Sequence, residues 1–136
     1  MKVIVETPKW SFTKYHTVRG KTEREFLSPL PNLFNYGYIP GTKAADGMEK
    51  DVIVLGARMP QGPADVVEAG VVSIIDDGLA DDKVIASADG KVTEDAKIRI
   101  HIFFSAYMAY KTVRYLVAER RLAKCSYGGF TLSPRR

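Results

Sequence analysis

Two short runs of the chain gather carboxylates where a loop meets an apolar strand. The first is Asp46-Gly47-Met48-Glu49-Lys50-Asp51, and the second is Asp76-Asp77-Gly78-Leu79-Ala80-Asp81-Asp82-Lys83. Asp46 and Asp51 bracket a glycine turn that can bend both side chains toward one point, and Asp76 and Asp81 do likewise at the end of a long strand. Carboxylates brought together without counter-charge repel, and some are forced to protonate. A hard divalent cation removes that conflict, and an all-oxygen donor set without thiolate or imidazole favours Mg²⁺ or Mn²⁺ over zinc. Cations held by carboxylates usually serve a phosphate substrate. The plainer reading is a set of solvated loop acids, and on the acids alone that reading leads.

The charge distribution sharpens the question. From Ala44 to Asp82 there are nine acids against two bases, Lys50 and Arg58. From Lys97 onward there are nine bases against one acid, Glu119. Either these are two solvated faces, or a cation site sits in the middle of the chain and an anion-binding surface elsewhere. The remaining composition excludes much. At 136 residues, 46% apolar and 26% charged, the chain suits one globular domain rather than a disordered tail. No apolar run is long enough to span a membrane, and Glu6 interrupts the start too early for a secretory signal. The single cysteine, Cys125, makes no internal disulfide, and with only His16 and His101 beside it there is no structural zinc cluster. The cytoplasm is the expected location.

The elements that must position these acids are mostly short strands. Alternation or β-branched runs predict strands at Val3–Thr7, Thr13–Val18, Phe34–Ile39, Asp51–Leu55, Val66–Ile75 and Lys83–Ala86. Turns are expected at Arg19-Gly20-Lys21, Asp46-Gly47 and Asp89-Gly90, and a proline-stiffened loop at Ser28–Asn32. The period then changes. Ile98, Ile102, Phe103, Ala106, Tyr107 and Tyr110 recur at three- and four-residue steps, which predicts an amphipathic helix. Either it continues through Val113 and Val117, or it yields to a strand at Thr112–Ala118. Strands followed by a late helix predict a mainly β or α+β fold, a small closed barrel with a helix packed on it.

A set of motifs in fixed order carries a resemblance. It comprises Ile4-Val5-Glu6-x-Pro8, Lys14-Tyr15, Phe34-Asn35-Tyr36-Gly37-Tyr38-Ile39-Pro40-Gly41-Thr42, Asp46-Gly47-x-x-x-Asp51-Val52, Ile75-Asp76-x-x-x-x-Asp81-x-Lys83 and Phe103-Phe104-x-x-Tyr107. From about Val3 to Tyr107 the chain resembles the soluble, family I inorganic pyrophosphatases, as a divergent member. The resemblance implies a closed five-stranded OB-like barrel with one or two flanking helices, a single domain over residues 1–136, a homo-oligomer, and Mg²⁺-dependent hydrolysis of pyrophosphate (Mn²⁺ as substitute). It places Asp46, Asp51 and Asp81 as principal metal ligands, Asp76 on a further shared metal and Glu6 as an outer carboxylate. It places Lys14, Arg24, Tyr36 and Tyr107 on phosphate oxygens and Lys83 as a basic, substrate-side residue next to the metals. Asp51 and Tyr36 are the catalytic candidates.

The chain departs from the family pattern on the substrate side. Where the family has an aspartate two residues after the first, thought to take a proton from the attacking water, this chain has Met48. Methionine can neither ligate magnesium nor accept that proton. A phosphate-binding lysine position is Met108, with Lys111 nearly one helical turn further on; a tyrosine position is Asn32 and an acidic position is His16. His16 and Glu49 are the possible replacement bases. Two functions therefore compete: an impaired hydrolase, and a catalytically inactive relative that binds metal and small phosphorylated ligands. A single-stranded nucleic acid module, suggested by Trp10, Phe12 and the basic C-terminal stretch, ranks third because the mid-section is acidic. No membrane partner is expected.

Overall fold

The computed structural model describes residues 1–18, 21–27, 32–44 and 47–133. Asp46, the turns predicted at 19–20 and 46–47, and most of the 28–32 loop therefore lie wholly or partly outside the described residues.

Among the described residues, ten strands and one helix follow in order: β1 (Lys2–Thr7), β2 (Thr13–Val18), β3 (Lys21–Leu27), β4 (Asn35–Ile39), β5 (Lys50–Val54), β6 (Gly62–Asp65), β7 (Val67–Asp76), β8 (Leu79–Ala80), β9 (Lys83–Ser87), α1 (Glu94–Ala118) and β10 (Ser126–Leu132). The predicted strands are all present within a residue or two. The sequence did not announce β3, β6, β8 or β10, which are short, glycine-containing or rich in charge.

The main sheet runs β10-β7-β9-β5-β4-β1-β6, with β8 paired to β7; β2 and β3 form a separate hairpin. Only Val66 separates β6 from β7, so the two are arms of one bent strand. The first arm pairs with β1 (Lys2↔Asp65 to Val5↔Gly62) and the second with β9 (Val67↔Ser87 to Val72↔Lys83). The pairing thus runs round a ring of five strands: β1, β4, β5, β9 and the bent β6–β7. β5 and β9 are parallel, the other pairs antiparallel. This is the mainly β, OB-like architecture expected from the sequence, with one flanking helix.

Alternation explains why the central strands are apolar on both faces. Val52 and Val54 of β5 and Val84 and Ala86 of β9 join Val3, Ile39 and Val66 in one buried cluster, the barrel filling. Their neighbours Ile53 and Ile85 point the other way, into a second cluster with Val72, Ile74, Ile100, Phe104 and Met108. That second cluster seats α1.

The helix starts where Thr93 caps it, its side chain accepting from the Ala96 amide at 3.1 Å, with Glu94 and Asp95 in the favourable first turn. It continues through Ala118, so the strand alternative at Thr112–Ala118 is wrong. Lys111 and Tyr115 on its inner face make tertiary contacts that hold those turns helical. The face expected to be buried needs a second correction. Phe103 and Tyr107 do pack inward, but the buried residues are Ile100, Phe104 and Met108, while Ile98, Ile102 and Tyr110 are exposed. The helix is apolar on two sides, and residue spacing alone could not say which side meets the sheet.

Candidate active site

Register brings the first group together. β5 and β9 pair in parallel with Val52 beside Val84, so Asp51 and Lys83 sit side by side, one position earlier on each strand. The Lys83 ammonium donates to Asp51 Oδ2 at 2.5 Å and to Asp81 Oδ2 at 2.9 Å. It also donates to the Tyr36 hydroxyl at 3.4 Å, from the next strand, β4. Two carboxylates from separate hairpin ends therefore converge on one point. Lys83 is buried, whereas the side chains of Asp51 and Asp81 are 31% and 29% exposed, so the acids face outward over an enclosed cation. Burial by itself pulls the Lys83 pKa down, but the neighbouring oxygens outweigh it and hold the amine protonated above its ordinary value. Burial pushes the Tyr36 phenol well above its ordinary value, so it stays neutral and able to donate a hydrogen bond.

Glu6, on β1, is buried beside this group. Burial raises its pKa, hydrogen bonding to Thr17 opposes that, and the charge of Asp51 raises it further. His16, on β2, stands near enough to Glu6 to lower that pKa.

The β7–β8 hairpin carries the second group. Ile75 lies opposite Ala80 and Asp76 opposite Leu79, and the Asp81 amide continues the ladder to the Ile74 carbonyl at 3.0 Å. Asp76 and Asp81 are thus diagonal neighbours on one face, a separation of roughly 7–8 Å in such ladders. Asp76 accepts from the Lys111 ammonium and from the Tyr115 hydroxyl at 3.3 Å, both on α1. The Lys111 nitrogen also lies 5.3 Å from the centroid of the Tyr107 ring, and that ring stacks on Phe103 at 5.7 Å. The next acid, Asp77, takes a two-pronged pair from Arg121 at 2.5 and 2.8 Å.

The remaining candidates are spread around these groups. Lys14 donates to the side-chain oxygen of Asn32, and burial lowers its pKa. Arg24 is exposed on β3, across from Tyr15, and no described contact joins it to Asp51, Asp81 or Lys83. Met48 and Glu49 are exposed on the loop before β5. Met108, by contrast, is buried in the core under the helix, so it faces away from any solvent-borne ligand. Sequence reasoning left Lys111 open and passed over Tyr115 and Arg121. The four-residue steps Tyr107, Lys111 and Tyr115 are the signal that could have found the first two.

With this geometry in hand, comparisons place the chain among known proteins. A family model described as inorganic pyrophosphatase matches residues 3–114. An inorganic pyrophosphatase of Aeropyrum pernix is 32% identical over 111 residues, which is 79% of this chain and 60% of that protein. One of Nanoarchaeum equitans is 28% identical over 88% of this chain and 86% of its own length. The chain spans about three fifths of the A. pernix relative and 57% of that of Gluconobacter oxydans. Among solved structures, the inorganic pyrophosphatase of Thermus thermophilus matches with a TM-score of 0.79 at 23% identity, covering 97% of this chain and 82% of that one. That likeness shows the fold.

Proposed function

The chain belongs to the inorganic pyrophosphatase family, and on that footing we propose that it hydrolyses inorganic pyrophosphate to two phosphates with a divalent cation, as one unit over residues 1–136. The observation that carries this is the convergence of Asp51 and Asp81 over the enclosed Lys83 ammonium, beside the neutral Tyr36 hydroxyl.

The donor chemistry fits a hard cation. Asp51 and Asp81 are half-exposed oxygen donors, with Asp76 on the adjoining hairpin and Glu6 coupled to Asp51. Among the described residues no three His, Cys, Asp or Glu side chains meet as a finished metal cage, and Asp46 stands as the further ligand expected from the family motif. Asp51 and Asp81 would hold Mg²⁺, or Mn²⁺ in its place, with Asp76 and Glu6 further out. Such a cation, when bound, offsets carboxylate charge and lowers the pKa of water.

The chain's own residues supply the rest. Pyrophosphate is a polyanion, and its hydrolysis depends on neutralising and orienting its oxygens. Lys83 keeps a fixed positive charge under the acids. Tyr36 donates its hydroxyl proton in a hydrogen bond to a phosphate oxygen, and Lys14, Tyr107 and Arg24 bind the outer oxygens. Water attacks one phosphorus, the bridging P–O bond breaks, and the departing phosphate takes a proton. Met48 can take no proton, and loss of a general base costs ~10²–10⁴ in rate. Turnover is therefore slow, unless His16 or Glu49 serves as base.

The test is phosphate release from pyrophosphate with and without magnesium. Release that needs magnesium and disappears in Asp51→Asn supports hydrolysis; release indifferent to both removes it. The exposed Met48 at the base position favours a second reading, a protein that binds metal and small phosphorylated ligands without turnover. Calorimetric binding of a diphosphonate in magnesium, with no phosphate released from pyrophosphate, would select it.

A further inference from the structure

The helix sends one cation to the acid-bearing hairpin, and its surroundings suit a ligand contact better than a permanent bond. Four cationic side chains lie on α1: Lys97, Arg99, Lys111 and Arg114. Lys97 pairs with Glu94 at 3.1 Å and Arg99 with Asp95 at 2.9 Å, both in the helix's own first turns. Arg114 is exposed. Lys111 leaves the helix surface, sets its ammonium 5.3 Å from the centre of the Tyr107 ring and ends on Asp76, the diagonal neighbour of Asp81.

Lys111 and Lys83 hold their acids differently. Lys83 is clasped by two carboxylates and a phenol, with its side chain only 10% exposed. Lys111 is 20% exposed and, among its described contacts, touches a single carboxylate. An ammonium has three N–H donors. Asp76 takes one, so donor capacity is left for an oxygen arriving from solvent. Position 108, one turn earlier, can offer no charge there, because Met108 is sealed in the core.

We propose that Lys111 is a substrate-binding residue of this site, resting on Asp76 in the free protein and donating to a phosphate oxygen of the bound diphosphate. The inference rests on the pyrophosphatase reading and adds to it a residue on the helix side of the site. A flexible four-carbon stem suits the exchange, since lysine acts as a mobile point charge on phosphate rather than a fixed fork.

The test is calorimetric binding of methylenediphosphonate, a non-hydrolysable diphosphate, at saturating magnesium. Lys111→Gln should weaken binding about tenfold or more, as expected for loss of one charge-assisted contact. Lys111→Met, which keeps an unbranched side chain without the charge, should give the same loss. Lys111→Arg should recover most of it, and Lys97→Gln should change nothing. A residue that only pins Asp76 would alter magnesium affinity and leave the diphosphonate constant at saturating magnesium unchanged; that outcome overturns the proposal. If the natural chain itself binds no diphosphonate and releases no phosphate, the pyrophosphatase reading falls and this inference with it. If the natural chain binds while Lys111→Gln and Lys111→Met bind equally well, only the inference falls.

Discussion

Met108 shows how much a single position depends on its surroundings. Read along the chain, it stands where a phosphate-binding lysine would be expected and counts as a lost charge. Folded, it is 2% exposed and packs in the cluster with Phe34, Ile53 and Phe104. A lysine there would have to bury its ammonium or pull the helix off the sheet. Met108→Lys is therefore expected to lower stability by about 3–5 kcal/mol, the range for leaving a buried charge uncompensated, without improving phosphate binding. Denaturant melts and calorimetry check the two halves separately. Met108→Lys that matched the parent in stability and gained affinity would mean that this helix face is turned toward the ligand. Gly37, within the Phe34–Thr42 motif, is fixed by a close approach instead. A Cβ at that position would lie 1.8 Å from the Ile4 carbonyl oxygen on β1. Gly37→Ala should cost at least the ~1–3 kcal/mol typical of overpacking, because the obstacle is backbone, and a thermal melt suffices to see it.

At the scale of elements, α1 and the β7–β8 hairpin hold each other. Lys111 and Tyr115 reach Asp76, Arg121 just past the helix reaches Asp77, and the Gly78 amide donates to the Lys124 carbonyl at 2.9 Å. Asp76, one of the candidate ligands, thus sits where a helix end and a hairpin tip are fastened. Hydrogen bonds from Arg121 hold the Asp77 carboxyl below its ordinary 3.8. A carboxyl depressed by folding stabilises above its unfolded value and loses that contribution as pH falls through the folded one. Asp77→Asn should therefore be less stable than the parent near about pH 7, with the gap closing as pH falls below the ordinary carboxylate range. The pair is exposed, so the effect is small and screened by salt. Melting curves in the two pH ranges decide it, and a gap that persisted in acid would count against the pairing.

Across the whole molecule, the acidic middle and basic end of the chain meet at two ion pairs. Lys111–Asp76 and Arg121–Asp77 join residues 35 and 44 positions apart. What stays unsatisfied is apolar. Ile98, Ile102, Val113, Leu116 and Val117 are all exposed along the side of α1 opposite the core, with the exposed Ala106 and Ala109 between them. A continuous apolar stripe of this kind marks an interaction surface. The helix opens with Glu94 and Asp95 and closes near Arg114 and Arg120, so an antiparallel second copy would set acids against bases as well as cover the stripe. Sedimentation should find a self-associated natural chain and a monomeric Ile102→Glu variant. A chain that is monomeric at all concentrations would leave this face without a partner of its own kind.

The motifs, six of the ten strands and the existence of a helix were legible in the sequence, because alternation, helical spacing and the order of Asp51, Asp76, Asp81 and Lys83 are local properties of the chain. The barrel filling was half legible: Val52 and Val54 read as buried, but only the ring of pairings separates them from Ile53, which serves a different core. Which side of α1 faces inward was not legible, since both sides are apolar and the choice is made by the sheet beneath. The convergence of Asp51 and Asp81 on Lys83, and the reach of Lys111 to Asp76, belong to the tertiary structure alone. Register and helix docking bring together groups 32 and 35 residues apart, and no spacing rule along the chain encodes that distance.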